Sequence, residues 1–178
     1  WLQENPGEKM LLANGAASFP SKLFALPRAG EYASLASEKW RADMKLALEA
    51  VIDHVERSDY GSRVIGYQLS GQKTEEWYHW SMNTELLGDY SPAMLQAYRR
   101  WLRQRYGGDE GLRKAWAKPA LRIDSVPIPT QAERHGDRSP GKTFRDPAAE
   151  RGVIDFHRFW SDVIADTIAY FAAVVKNK

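Results

Sequence analysis

The chain has 178 residues, with 25 basic against 23 acidic and a net charge of +2. That balance points to neither nucleic acid nor an anionic membrane as a partner, and no apolar run approaches the roughly 18 residues needed to span a bilayer. Cysteine is absent, which excludes disulfides, thiolate catalysis and cysteine-ligated zinc.

The opening WLQENPGEKM has the pattern of neither a signal nor a transit peptide and lacks an initiating methionine. It reads as the start of a piece of a longer protein, or of a mature product. Residues 1–36 are rich in Gly, Pro, Ser and Ala and predict a long loop, interrupted only by Met10-Leu11-Leu12-Ala13. A helix is predicted from Glu38 to Arg57, capped by Ser37, with Trp40, Met44, Ala47, Leu48, Val51 and Val55 on its apolar face. The run at 63–69, RVIGYQL, predicts a buried strand.

That strand leads through Ser70-Gly71-Gln72-Lys73-Thr74 to the adjacent carboxylates Glu75 and Glu76, then to Trp77, Tyr78, His79 and Trp80. A carboxylic acid can protonate a glycosidic oxygen, and aromatic rings can stack on the apolar face of a pyranose. Trp77, Tyr78 and Trp80, with Gln68 on the strand, are therefore candidate substrate-binding residues. The bland alternatives are solvated loop acids and rings that anchor the loop. Successive side chains of an extended segment point different ways, so Glu75 and Glu76 are not themselves a catalytic pair. His79 reads as a structural histidine; His54, His135 and His157 have no ligand spacing, and no metal motif is present.

Ser91-Pro92 opens a helix carrying Met94, Leu95, Tyr98, Trp101, Leu102 and Tyr106, which stops at Gly107-Gly108. Its arginines, Arg99, Arg100, Arg103 and Arg105, read as a solvated side rather than a phosphate-binding face. A short helix follows through Leu112 and Trp116. Residues 118–146, with Pro119, Pro127, Pro129 and Pro140, predict an excursion over the surface. Asp146-Pro147 then predicts the cap of a long last helix, whose core face is Val153, Phe156, Trp160, Val163, Ile164, Ile168, Phe171, Val174 and Val175. Helix, strand, long loop and helix in this order form one unit of an α/β fold. In a parallel barrel, active-site groups follow the C-terminal ends of strands.

VIGYQL, a carboxylate beside tryptophan, and YRRWLRQRYGGDEGLRKAW occur here in an order that resembles the middle of the beta-galactosidase-type barrels of glycoside hydrolase family 42 and its clan A relatives. In that family a helix of the form frrWLkerYG precedes aLneaWg; here these are Tyr98 to Gly107 and Gly111 to Trp116. A later DF..F pattern is matched by Asp155-Phe156-His157-Arg158-Phe159, and Trp1-Leu2 with Asn5-Pro6 is similar to the segment after the third barrel strand. The resemblance implies an α/β fold in which residues 1–178 are a helix-rich fragment of a TIM (β/α)8 barrel, from after the third strand through the fourth helix. The fragment would hold the fourth strand and a long helical insertion.

It also implies part of a retaining glycoside hydrolase acting on beta-galactoside-like substrates. The family's general acid/base falls on Glu76, matching relatives that read GEW, or on its neighbour Glu75. Glu75 stands where the clan usually has asparagine, which would contact the sugar 2-hydroxyl. That departure supports the alternative of a non-catalytic carbohydrate-binding or interaction module on the same architecture. The metal-binding cysteines of some members are missing, so no zinc site and no cofactor is expected. The nucleophile belongs to a later strand without a counterpart here. The expected partners are a carbohydrate substrate and the remainder of the parent barrel, with no nucleic acid and no membrane. By itself the fragment is expected to be inert. With both strand edges open, it is also expected to be molten or to aggregate.

Overall fold

A computed structural model of the chain describes residues 1–17, 30–71, 77, 86–136 and 144–178. Among them are five α-helices and no β-ladder: α1 (Glu38–Arg57), α2 (Pro92–Tyr106), α3 (Asp109–Trp116), α4 (Gln131–His135) and α5 (Arg151–Lys176).

The helix ends follow local chemistry. Ser37 Oγ accepts from Trp40 N at 2.9 Å and opens α1. Ser91 Oγ accepts from Met94 N at 3.2 Å, with Pro92 supplying the first helical φ of α2. Gly107 ends α2 at φ 67, a left-handed conformation that costs a glycine little. Thr130 and Glu133 form a reciprocal capping box on α4. The last helix starts later than expected. Asp146 Oδ1 accepts from Ala148 N at 2.7 Å and Ala149 N at 3.1 Å, capping a separate turn, and α5 begins only at Arg151.

The main core lies among α2, α3, α5 and the connection before α4. Met94, Tyr98, Leu102, Leu112 and Phe156 are wholly buried. Tyr98 meets Phe156 edge-on at 5.2 Å between ring centroids and packs tilted against Phe159 at the same distance. On α5, Val153, Phe156, Trp160, Val163, Phe171 and Val174 are buried as expected, joined by Asp155, Phe159 and Thr167. Ile164, Ile168 and Val175 are half-buried.

The reading of 118–146 as a surface excursion is corrected here: Ile123, Val126 and Ile128 are core residues, and Arg134 is only 4% exposed. Arg99 Nε donates to Val126 O at 3.0 Å and Ile123 N to Asp109 Oδ1 at 2.9 Å, so side chains of α2 and α3 draw the 123–126 stretch, which begins with a 3-10 turn, inward. Residues 1–17 are likewise more than loop. Met10 and Leu12 are buried, with antiparallel bridges from Lys9 to Ala33 and from Leu12 to Gly88.

The other half is open. Helix α1 has a single buried residue, Ile52, while Leu46 and Val51, on the expected core face or next to it, are 65% and 54% exposed. Its ties to α5 are both apolar and polar, with Trp40 edge-on to Phe171 and Arg41 reaching across. Arg41 donates to Leu35 O at 3.1 Å, Val163 O at 3.2 Å and Thr167 Oγ1 at 2.5 Å. Within this chain the strand expected at 63–69 is neither paired nor buried: Arg63 ends a short 3-10 turn, Ile65 is fully exposed, and residues 64–70 join no ladder with other described residues. An apolar run becomes a buried strand only when neighbours pair with its edges and cover its faces. No helix among the described residues is long and apolar enough to cross a membrane.

Candidate active site

The segment leading to the two glutamates alternates in exposure. Tyr67 and Leu69 are half-buried and Gly71 is buried, while Gly66, Gln68 and Ser70 are exposed. Period two is the mark of an extended chain with one face packed. The packed face lies over α1 and α5, beside a cavity of about 290 Å³ lined by Trp40, Met44, Leu48, Trp77 and Phe171. Trp40 and Phe171 close it edge-to-face at 5.6 Å.

Trp77 is half-buried against the main core. Its Nε1 donates to Leu69 O at 2.9 Å, and its ring lies against Gly71. Glu75, Glu76, Tyr78 and Trp80, like His79, fall outside the described residues. Of the candidates, then, Trp77 and Gln68 are placed: Gln68 lies on the exposed face of the extended segment and also lines the cavity.

From Leu86 onward the described chain is tied to the fold at several points. Leu87 N donates to Gln131 Oε1 at 3.0 Å, and Leu87 O accepts from Ala13 N at 2.9 Å. Asp89 is completely buried, and its Oδ1 accepts from Ser91 N at 2.7 Å and Leu11 N at 3.3 Å. Burial raises its pKa above the usual carboxylate range, against the opposing pull of hydrogen bonds from Ser34, Ser91 and Leu11. Arg134 donates to Gly88 O at 2.7 Å. Its guanidinium sits among the rings of Trp160, Phe156 and Tyr90, at 4.5, 5.0 and 5.2 Å from their centroids. Burial lowers the Arg134 pKa.

Sequence reasoning missed this second anchor. The capping box T-x-x-E was present as a signal for α4, but nothing local marks the arginine three residues after Gln131 as one that stacks inside the core. Gly71 gave no such signal either, because it lies in the polar loop after the predicted strand, where a glycine is ordinary. Among the described residues no group of three His, Cys, Asp or Glu side chains is placed to hold a metal ion.

The fold built from these elements has known counterparts. The sequence pattern of glycoside hydrolase family 42, beta-galactosidase, matches residues 72–177, more than half of the chain. Similar solved structures include the beta-galactosidase of the psychrophilic Marinomonas ef1, with a TM-score of 0.64 and 18% identity. The polyextremophilic beta-galactosidase of the Antarctic haloarchaeon Halorubrum lacusprofundi gives 0.65 and 18%, and that of Bacillus circulans sp. alkalophilus gives 0.60 and 14%. In each case 99% of this chain is covered but only 23% of the other, so the chain spans under a quarter of the length of these enzymes. No curated protein sequence matches the chain. At those identities the structures show the fold, and the sequence pattern shows the family: the chain belongs to the beta-galactosidases of glycoside hydrolase family 42.

Proposed function

We propose that residues 1–178 are the central piece of a (β/α)8 barrel of a retaining glycoside hydrolase that acts on β-galactosides, with 63–69 as its fourth strand and Glu76 as general acid/base. One observation carries the reading. An extended segment with one packed face ends at Gly71, four residues before Glu75 in sequence, and Trp77, which follows Glu76, is folded back onto that segment's end. Strand ends are where barrel enzymes gather their chemistry.

In the whole enzyme, protonated Glu76 gives its proton to the glycosidic oxygen as a carboxylate from a later strand attacks the anomeric carbon. The aglycone leaves as a neutral alcohol and a glycosyl ester remains. Glu76, now ionised, takes a proton from water as that water attacks the ester, which regenerates both groups. The nucleophile would lie roughly 5–5.5 Å from Glu76, as retention requires. Its negative charge raises the Glu76 pKa until ester formation consumes it. Glu75 borders this centre, Tyr78 and Trp80 offer rings to the sugar, and Gln68 offers an amide to its hydroxyls. No cofactor enters this scheme.

A second reading, a sugar-binding barrel without catalysis, draws on Glu75 standing where asparagine would contact the 2-hydroxyl. A panel of aryl glycosides containing aryl β-galactosides, given to the full-length parent and its Glu76→Ala variant, separates the two. The proposal expects turnover of the β-galactosides and a fall of about 10²–10⁴-fold in the variant, the usual worth of a general acid/base. No turnover of any glycoside by the intact parent contradicts it and favours the binding module.

A further inference from the structure

We infer that Trp77 is a positioning residue whose indole, held against Leu69 and Gly71, anchors the residue next to Glu76 and so sets the aim of its carboxyl. The inference rests on Glu76 being the general acid/base proposed above.

The lock has two independent parts. The indole N–H is used up on Leu69 O at 2.9 Å. The ring presses on Gly71 so closely that a β-carbon there would lie 2.6 Å from Cδ2, 2.7 Å from Cε3 and 3.0 Å from Cε2. Those distances are shorter than any side chain tolerates, and they meet the fused part of a ring rather than a flexible tip. Gly71 is not in the left-handed region that would call for glycine on backbone grounds. Its missing side chain is therefore explained by the ring alone.

These contacts bear on what Trp77 does. An indole with one face against Gly71 and its N–H satisfied has given up that face and its polar handle to the protein, which fits an anchor better than a sugar platform. The bond from Trp77 reaches Leu69, eight residues earlier in the chain. Glu76 is one peptide unit from Trp77. A general acid must reach its proton acceptor within about 2.6–3.2 Å. An error of about 1 Å in aim can cost about 100-fold. Anchoring the adjacent residue is thus a direct means of setting that aim.

The test uses the full-length parent with Gly71→Ala, which pushes the ring away, and Trp77→Phe, which keeps a ring but removes the donor. Each is assayed on a dinitrophenyl β-galactoside, whose leaving group needs no proton, and a methoxyphenyl β-galactoside, whose leaving group does. Both variants are expected to lose about tenfold or more in kcat/KM on the methoxyphenyl substrate and less than about twofold on the dinitrophenyl one. The ratio between substrates is unaffected by the fraction of enzyme that is folded. Equal losses on both substrates would reduce the lock to a structural role and overturn the inference, as would no loss on either. Glu76→Ala is run alongside. If it shows the leaving-group dependence and the lock variants do not, the inference alone fails. If Glu76→Ala lacks that dependence, the acid assignment itself is wrong and the inference falls with it.

Discussion

The two parts of this molecule have similar fractions of apolar residues and end up differently packed. In the half made of α2, α3, α5 and the 123–128 connection, Tyr98, Leu102, Leu112 and Phe156 lose all contact with solvent. In the half made of α1 and the 64–71 segment, a 20-residue helix buries one side chain, and Ile65 projects into solvent. Helices supply their own backbone hydrogen bonds and need only a neighbour for one stripe. An extended segment needs partners on both edges, and the stripe of α1 needs a sheet. The compact half has its complement within the chain; among the described residues the open half has none.

The largest expected effect lies in the compact half. Asp155 is wholly buried, accepts from Trp116 Nε1 at 2.8 Å and from the Tyr106 hydroxyl, and lies 3.3 Å from Arg151. Asp155→Ala leaves these donors and a cation without their partner, and should cost about 3–5 kcal/mol in urea unfolding of the full-length protein. A cost under about 1 kcal/mol would mean that the cluster is held by packing alone.

Next comes the open half. If neighbouring strands cover it in the whole enzyme, Ile65→Asp should cost about 2–3 kcal/mol there, because a charge would replace a buried side chain. A neutral result would leave Ile65 as exposed as it is in this chain and would break the barrel assignment of 63–69.

A smaller effect concerns pH. Burial, then the charges of Arg134 and Arg145, lower the His157 pKa to about 4 from an ordinary 6.5. Below 6.5 the unfolded chain takes up this proton before the folded one does. Stability therefore falls as pH drops from about 6.5 toward 4 and is unaffected above that window. His157→Gln should flatten the slope by about 1–2 kcal/mol across the window, read from urea midpoints at the two pH values. An unchanged slope would place the histidine in contact with water.

What the sequence made legible follows the same division. Ser37, Ser91-Pro92 and Gly107 act within one helical turn, so the bounds of α1 and α2 could be read residue by residue. The Asp146-Pro147 signal was real but served a turn ahead of α5. The fate of Val51 and Ile65 was not legible, because burial depends on what lies opposite them and no local pattern encodes that. At the candidate site, adjacent carboxylates and aromatic rings drew attention through composition and family pattern. The groups that hold the loop's ends, Gly71 beneath Trp77 and Arg134 among Tyr90, Phe156 and Trp160, act across space and left little local trace.

The proposed role of Glu76 as acid/base of a retaining enzyme is best examined with azide. The Glu76→Ala variant of the full-length protein would be given a dinitrophenyl β-galactoside with sodium azide, and the product's anomeric configuration read by NMR. The account predicts restored turnover and a β-galactosyl azide, since azide attacks the glycosyl ester without needing a base. Azide that neither speeds the variant nor appears in the product, or an α-galactosyl azide, would contradict it.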